Sequence, residues 1–315
     1  MSNQLSSALT TSATTTIAQN DRTSLGLDEA FLRRLERLRV AVRKNRAGMG
    51  VGARRSPSRG SSVEFADFRQ YMPGDDLRRL DWNAYARLGR LFMRLYHDEQ
   101  NATVHLLLDV SASMDSGADG ANKLRWSKQL AGALGYIALA ELDRVTVSAV
   151  AGSIVGRTQT YSGVRTTLRM FDDIAAIPVA AEATDLDRAL GAFKSRPPGP
   201  AILVSDLLVH GWGREGIHAL QVAGNDVAVV HVLSPEEEDP DLRGDVRLVD
   251  RETRESREVT VDAALLDRYR ASLAAWKWEI NDACHARGIP YLPIRSDSPH
   301  DEFVFGAMRR ERVVS

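Results

Sequence analysis

From residue 103 onward the chain alternates short apolar strands with helices, and this pattern constrains the fold more than any other feature of the sequence. Strands are predicted at 103–109, 145–151, 201–206, 227–233 and 290–294, and helices near 122–141, 163–176, 185–194, 214–223 and 262–287. The strands are continuous apolar runs, such as Val104-His105-Leu106-Leu107-Leu108, and lack the in-and-out alternation of a sheet with one wet face. Strands buried on both sides and separated by helices require a parallel arrangement covered on both faces. The expected fold class is therefore α/β, a doubly wound and mostly parallel sheet.

The rest of the chain decorates that domain. Residues 245–261 read as two alternating runs around a polar turn, a hairpin inserted before the long C-terminal helix. Residues 1–24 are Ser/Thr-rich and form an expected disordered tail. Residues 25–59 are expected to hold a basic amphipathic helix and linker. Phe31, Leu35, Leu38 and Val42 draw its stripe, which predicts a helix from Leu27 to about Asn45. Residues 60–100 form a separate Arg/Asp-rich block with a small β element, and 101–315 carry the α/β domain.

Composition narrows the function classes. The 41 basic and 42 acidic residues leave a net charge of -1, so no global field draws the chain onto nucleic acid. Charge is nonetheless unevenly placed: residues 33–59 carry a net +9 and residues 236–262 a net -6. The basic segment leaves anionic-polymer binding as an alternative, although aromatic residues for base stacking are sparse around it. A single cysteine, Cys284, excludes an internal disulfide and a Cys-rich zinc site. No apolar stretch approaches the roughly 18 residues of a membrane span, so a cytoplasmic location is expected.

The strongest chemical signal is Asp109-Val110-Ser111-Ala112-Ser113, directly after the first strand of the α/β domain. In doubly wound sheets ligands bind outside the carboxyl ends of the strands, where these side chains emerge. If the loop stays extended, positions i, i+2 and i+4 point one way and converge a carboxylate and two hydroxyls. Such oxygens suit a hard cation, Mg²⁺ or Mn²⁺, with coordination places left open. Asp206 ends a second buried strand at the same kind of edge, and Thr184 sits in a loop able to reach it. Thr184-Asp185-Leu186-Asp187 also resembles a helix N-cap, and Asp206 could simply accept backbone N–H groups.

These residues carry a resemblance. Asp109, Ser111 and Ser113, then Thr184, then Asp206 resemble the metal-ion-dependent adhesion site of von Willebrand factor type A domains, a Rossmann-type fold. The stretch containing Phe65, Asp67, Arg69, Tyr71, Pro73-Gly74-Asp75-Asp76 and Arg78, followed by Asp81-Trp82 and Ala86-Arg87, resembles the signature of the domain of unknown function 58 family. The resemblance implies metal-dependent protein binding without catalysis. Ser111, Ser113 and Thr184 would hold the ion directly, with Asp109 and Asp206 acting through water or hydrogen bonds. A partner's Asp or Glu would complete the shell, and a MoxR-type AAA+ ATPase is the implied companion, with the chain an adaptor in assembly or maturation of a target complex. Many members of that family carry membrane segments, and this sequence departs from them there.

Within the 60–100 block, Arg69, Asp75, Asp76, Arg78, Asp81, Trp82 and Arg87 are candidates for docking a partner. Arginine–carboxylate pairing that locks the block internally is the structural alternative. An enzymatic alternative uses Asp109 as nucleophile of a metal-dependent phosphatase. The acid that such chemistry wants two residues on is replaced by Ser111. No glycine-rich phosphate loop of either common pattern is present.

Overall fold

A computed structural model describes residues 23–41, 63–72, 80–98, 102–118, 120–180, 184–195, 197–251 and 255–315. These fall into two compact units, 46–101 and the remainder. The expected N-terminal tail up to residue 22, the linker at 42–62, and Asp75, Asp76 and Arg78 lie outside the described residues.

In the larger unit, a short helix α1 (Glu29–Leu35) precedes the α/β domain. Six main elements then build the sheet and its first cover: β3 (Thr103–Asp109), α3 (Lys123–Ala140), β4 (Arg144–Val150), α4 (Thr167–Ala175), α5 (Leu186–Gly191) and β7 (Pro200–Ser205). After them come α6 (Arg214–Val222), β8 (Asp226–Leu233), α7 (Pro235–Glu238), α8 (Ala263–His285) and β11 (Tyr291–Arg295). The strands run in the order β11-β8-β7-β3-β4, all parallel. Two short antiparallel strands, β5 (Ile154–Arg157) and β6 (Tyr161–Ser162), flank β4. The sequence does not announce these two, because each is too short to show a period.

The strand order creates a switch point. From β3 the chain crosses through α3 to β4 on one side, whereas β7 crosses through α6 to β8 on the other. The crevice between the carboxyl ends of β3 and β7 is therefore where a doubly wound sheet offers a binding site. Both sheet faces are covered, as continuous apolar strands demand. Val104, Leu106 and Leu108 pack on the face holding α3, and Leu107 joins Leu203, Val229 and the buried Ile280 of α8 on the other.

Helix α3 is apolar all round from Leu130 to Leu139, where it is enclosed on several sides. At Gly132 a Cβ would come within 2.4 Å of the Leu25 side chain, so glycine is what lets the N-terminal segment lie against α3. Leu25, Leu27, Phe31, Leu35 and Leu38 all join the main core. The helix that the stripe predicts from Leu27 to about Asn45 is shorter than expected, ending at Leu35. Beyond it Val40 bridges Val314, with backbone bonds between Arg39 and Ser315 in both directions, so the C-terminal backbone replaces helical partners there. Leu38 stays on the buried stripe without being helical.

The predicted hairpin forms from β9 (Gly244–Val249) and β10 (Ser256–Val261), antiparallel and separate from the main sheet. The chain closes with α9 (His300–Glu302) running into a π-helical turn at Phe303–Met308. Among the described residues no helix is long and apolar enough to cross a membrane.

The smaller unit pairs β1 (Val63–Gln70) with β2 (Phe92–Asp98) antiparallel, joined through α2 (Trp82–Leu88). Arg69 lies in β1. Asp81 is buried and caps α2, its Oδ1 accepting from Asn83 N at 2.9 Å and Ala84 N at 3.0 Å. Trp82 is exposed and meets Tyr85 edge-on at 6.3 Å between ring centres. Arg87 is exposed in the last turn of α2.

Candidate functional site

The structure places Asp109 and Asp206 at the two strand ends of the switch point, with Ser111 and Ser113 in the loop after the first. Asp109 closes β3 and Asp206 follows β7 immediately, with Leu108 and Val204 paired one position before the first and two before the second. Asp109 is fully buried. Its Oδ1 accepts from Ser111 N at 2.9 Å, and its Oδ2 accepts from Ser205 Oγ at 2.5 Å, which ties the two strand ends together. Burial pushes the Asp109 carboxyl up to about 7, with the neighbouring Asp206 charge adding to the rise and the Ser205 and Ser111 bonds opposing it.

The loop after β3 then turns back toward α3. Ser111 Oγ and Ser113 Oγ lie 3.0 Å apart, brought together by a turn at 112–114 in which Met114 N donates to Ser111 O, and not by the extended loop expected. Ser113 is half-buried and Ser111 buried. Ser116 Oγ donates to Ser113 O at 2.7 Å and fixes the turn. At Gly117, with φ of +103°, a Cβ would sit 2.2 Å from Ala121 O, so only glycine closes this loop.

Thr184 comes to the same edge through its neighbour. Asp185 N donates to Ala151 O at the end of β4, and Val110 N donates to Val150 O beside it. The cap of α5 is Asp185, whose carboxylate accepts from Arg188 N at 2.9 Å, and not Thr184. Thr184 is half-buried. Asp206 accepts from Leu208 N at 3.1 Å through Oδ1, as a loop aspartate would. Leu207 between them holds φ of +54°, a strained value for leucine, and its N–H is bound to Ser205 Oγ at 2.9 Å.

Two side chains at the site escape sequence reasoning. Lys123, the first residue of α3, is fully buried and donates from Nζ to Asp206 Oδ2 and to Glu237 Oε1, both at 2.6 Å. Glu237 is also the acid of a capping box on α7, accepting from Ser234 N at 2.8 Å through Oε2. The signal available was weak: a lysine at the start of a helix that carries Arg125 and Lys128 as well, and an acid inside a run of acids.

The donor set fits a hard cation held by hydroxyls. Among the described residues no three His, Cys, Asp or Glu side chains group as a metal cluster, so carboxylates alone would not make a site. Each oxygen of Asp109 and of Asp206 accepts one hydrogen bond, and the two serine hydroxyls bond each other, so every oxygen of the set is held in place. Cys284 is buried on α8, and burial pushes its thiol up to about 12, so it is inert.

Residues 67–278, about two thirds of the chain, match the family described as "Protein of unknown function DUF58". The chain belongs to the DUF58 family. This DUF58 protein is 29% identical over 269 residues to "Uncharacterized protein Rv1480" of Mycobacterium tuberculosis (strain ATCC 25618 / H37Rv), covering 84% of each chain. The same figures hold for "Uncharacterized protein Mb1516" of Mycobacterium bovis. Among solved structures it is similar to the conserved hypothetical protein BatB from Bacteroides thetaiotaomicron, at 18% identity and a TM-score of 0.41 over 67% of this chain and 96% of that one.

Proposed function

We propose that this DUF58 protein is a protein-binding module whose sheet-edge site holds a divalent cation, Mg²⁺ or Mn²⁺, and through it an acidic side chain of a partner. The observation that carries this reading is the 3.0 Å approach of Ser111 Oγ and Ser113 Oγ at the switch-point edge, beside two carboxylates whose oxygens are already held. Ser111 and Ser113 would ligate the ion, Thr184 would join them from the adjacent loop, and Asp109 and Asp206 would orient water or hydroxyl donors. A hard cation prefers such neutral and anionic oxygens and accepts a carboxylate in a vacant place. This is the arrangement of the von Willebrand A-type adhesion site that the sequence resembles, and it requires no catalytic group.

The resemblance also supplies the companion we propose, a MoxR-type AAA+ ATPase, with this chain as the adaptor between that ATPase and a target complex in a cytoplasmic setting. The test is calorimetric titration of Mn²⁺ into the full chain and into the variant carrying Ser111→Ala with Ser113→Ala. Loss of binding in the variant, with an unchanged circular dichroism spectrum, is expected. Binding equal to that of the unsubstituted chain would refute the site. Capture from native extract in parallel with magnesium and with chelator then examines the companion. A MoxR-type ATPase retained only with magnesium is the expected result, and equal retention in both would remove the cation from the interaction.

A further inference from the structure

Lys123 stands where helix physics disfavours it. It is the first residue of α3, at the positive end of the helix dipole, where an acid would be stabilised and a cation is not. It is also fully buried, and an ammonium withdrawn from water persists only when paired. A residue that breaks a local rule and is compensated by specific partners marks a functional place. The compensation here is explicit: Asp206 Oδ2 and Glu237 Oε1, each at 2.6 Å from Nζ. Both acids belong to the edge of the site. Asp206 follows β7, and Ser116 of the serine loop donates to Glu237 Oε1 at 3.4 Å.

We infer that Lys123 is the resident cation of this site, a tethered ammonium that holds Asp206 and Glu237 and competes with a divalent ion for them. The inference rests on the cation reading above and names what controls the site. Beside the serine loop the Lys123 ammonium faces the acids Asp206 and Glu237, with Asp109 next to Asp206. While Nζ holds Asp206, that carboxylate is neutralised and turned away from an incoming ion, and divalent affinity stays low. When the water shell of a bound ion draws Asp206 away, Lys123 keeps Glu237. The change then reaches α7, whose Glu238 pairs with Lys277 of α8 and whose Glu237 carbonyl accepts from Tyr269 of the same helix. Cation loading at the sheet edge is thereby linked to the long, largely exposed helix α8.

The test replaces Lys123 with methionine, an unbranched neutral chain, and titrates Mn²⁺ calorimetrically into the full-length protein, with thermal melting followed by circular dichroism. Lys123→Met is expected to bind Mn²⁺ at least tenfold more tightly than the unsubstituted chain. It is also expected to melt lower in chelator and to recover when Mn²⁺ is added. A second variant, Lys123→Met with Glu237→Gln, leaves the net charge of the site unchanged and removes one stranded acid, so it folds more readily. It too is expected to bind more tightly than the unsubstituted chain, which separates the vacated position from a mere gain of negative charge. Affinity in both variants equal to or below that of the unsubstituted chain, with that chain binding Mn²⁺, would overturn the inference and leave the cation reading intact. Binding in the variants alone would sustain the inference and refute cation-dependent adhesion by the natural chain, and binding in none of the three would refute both.

Discussion

The pair between Lys123 and Asp206 makes a quantitative prediction about stability. Replacing Asp206 with asparagine keeps the Oδ1 that accepts from Leu208 N but sets an amide N–H₂ against Nζ, so donor faces donor where an ion pair stood. Both members are withdrawn from water, with side-chain exposures of 0% and 1%, so water cannot replace the lost partner. Breaking one side of a buried pair costs about 3–5 kcal/mol when a bare charge remains. Glu237, 25% exposed, still holds Nζ at 2.6 Å, which places the expected loss at the lower end, about 3 kcal/mol. For a domain of this size each kcal/mol moves the melting temperature by about 2–4 °C, giving a fall of about 6–12 °C. Melts followed by circular dichroism in chelator measure it without interference from divalent ions. Lys123→Met and the double variant Lys123→Met with Asp206→Asn complete a cycle. Because removing both partners leaves no orphaned charge at Asp206, the double variant should be less destabilised than the sum of the two, with a coupling of about 2 kcal/mol. A melting temperature for Asp206→Asn within 2 °C of the unsubstituted chain, a span set here as about the noise of such melts, would refute the reasoning. Strict additivity in the cycle would refute it equally.

Other outcomes follow from burial. Leu35→Ala should cost about 2–5 kcal/mol, because Leu35 is fully enclosed and its removal leaves a cavity against α3. An unchanged melting temperature would show that the N-terminal segment is not part of the core. His105 stays neutral in the fold: burial holds its pKa below the ordinary value, with nearby Arg157 acting the same way and the Pro197 carbonyl opposing. Its stabilisation is complete above the unfolded value of about 6.5 and is lost as pH falls below that, by up to about 1.4 kcal/mol per pH unit until the lowered native value is reached. Urea midpoints of the natural chain should therefore drop between pH 7.5 and 5.5, values chosen to straddle that unfolded pKa of about 6.5, by more than those of His105→Asn. Equal slopes would show that His105 is not the group responsible.

The sequence by itself determined the α/β class, because continuous apolar strands and intervening helices can bury their surfaces only as a parallel sheet covered on both faces. It named Ser111 and Ser113 as a converging pair, but on an extended loop; the loop turns instead, with Met114 N donating to Ser111 O, and that turn brings the hydroxyls together. Asp109 and Asp206 were legible as strand-end residues. The N-terminal helix was legible only as a stripe: its end at Leu35 was decided by Val40 and Arg39 finding backbone partners at Val314 and Ser315, nearly the whole chain away. Likewise Asp185 and not Thr184 caps α5, a choice between adjacent residues that the motif leaves open. Tertiary structure alone decided the strand order, and so which two strand ends form the crevice. It alone placed Lys123 between Asp206 and Glu237, residues 83 and 114 positions away. A charge pair made by folding leaves no periodicity, because each partner's position answers to a different stretch of chain.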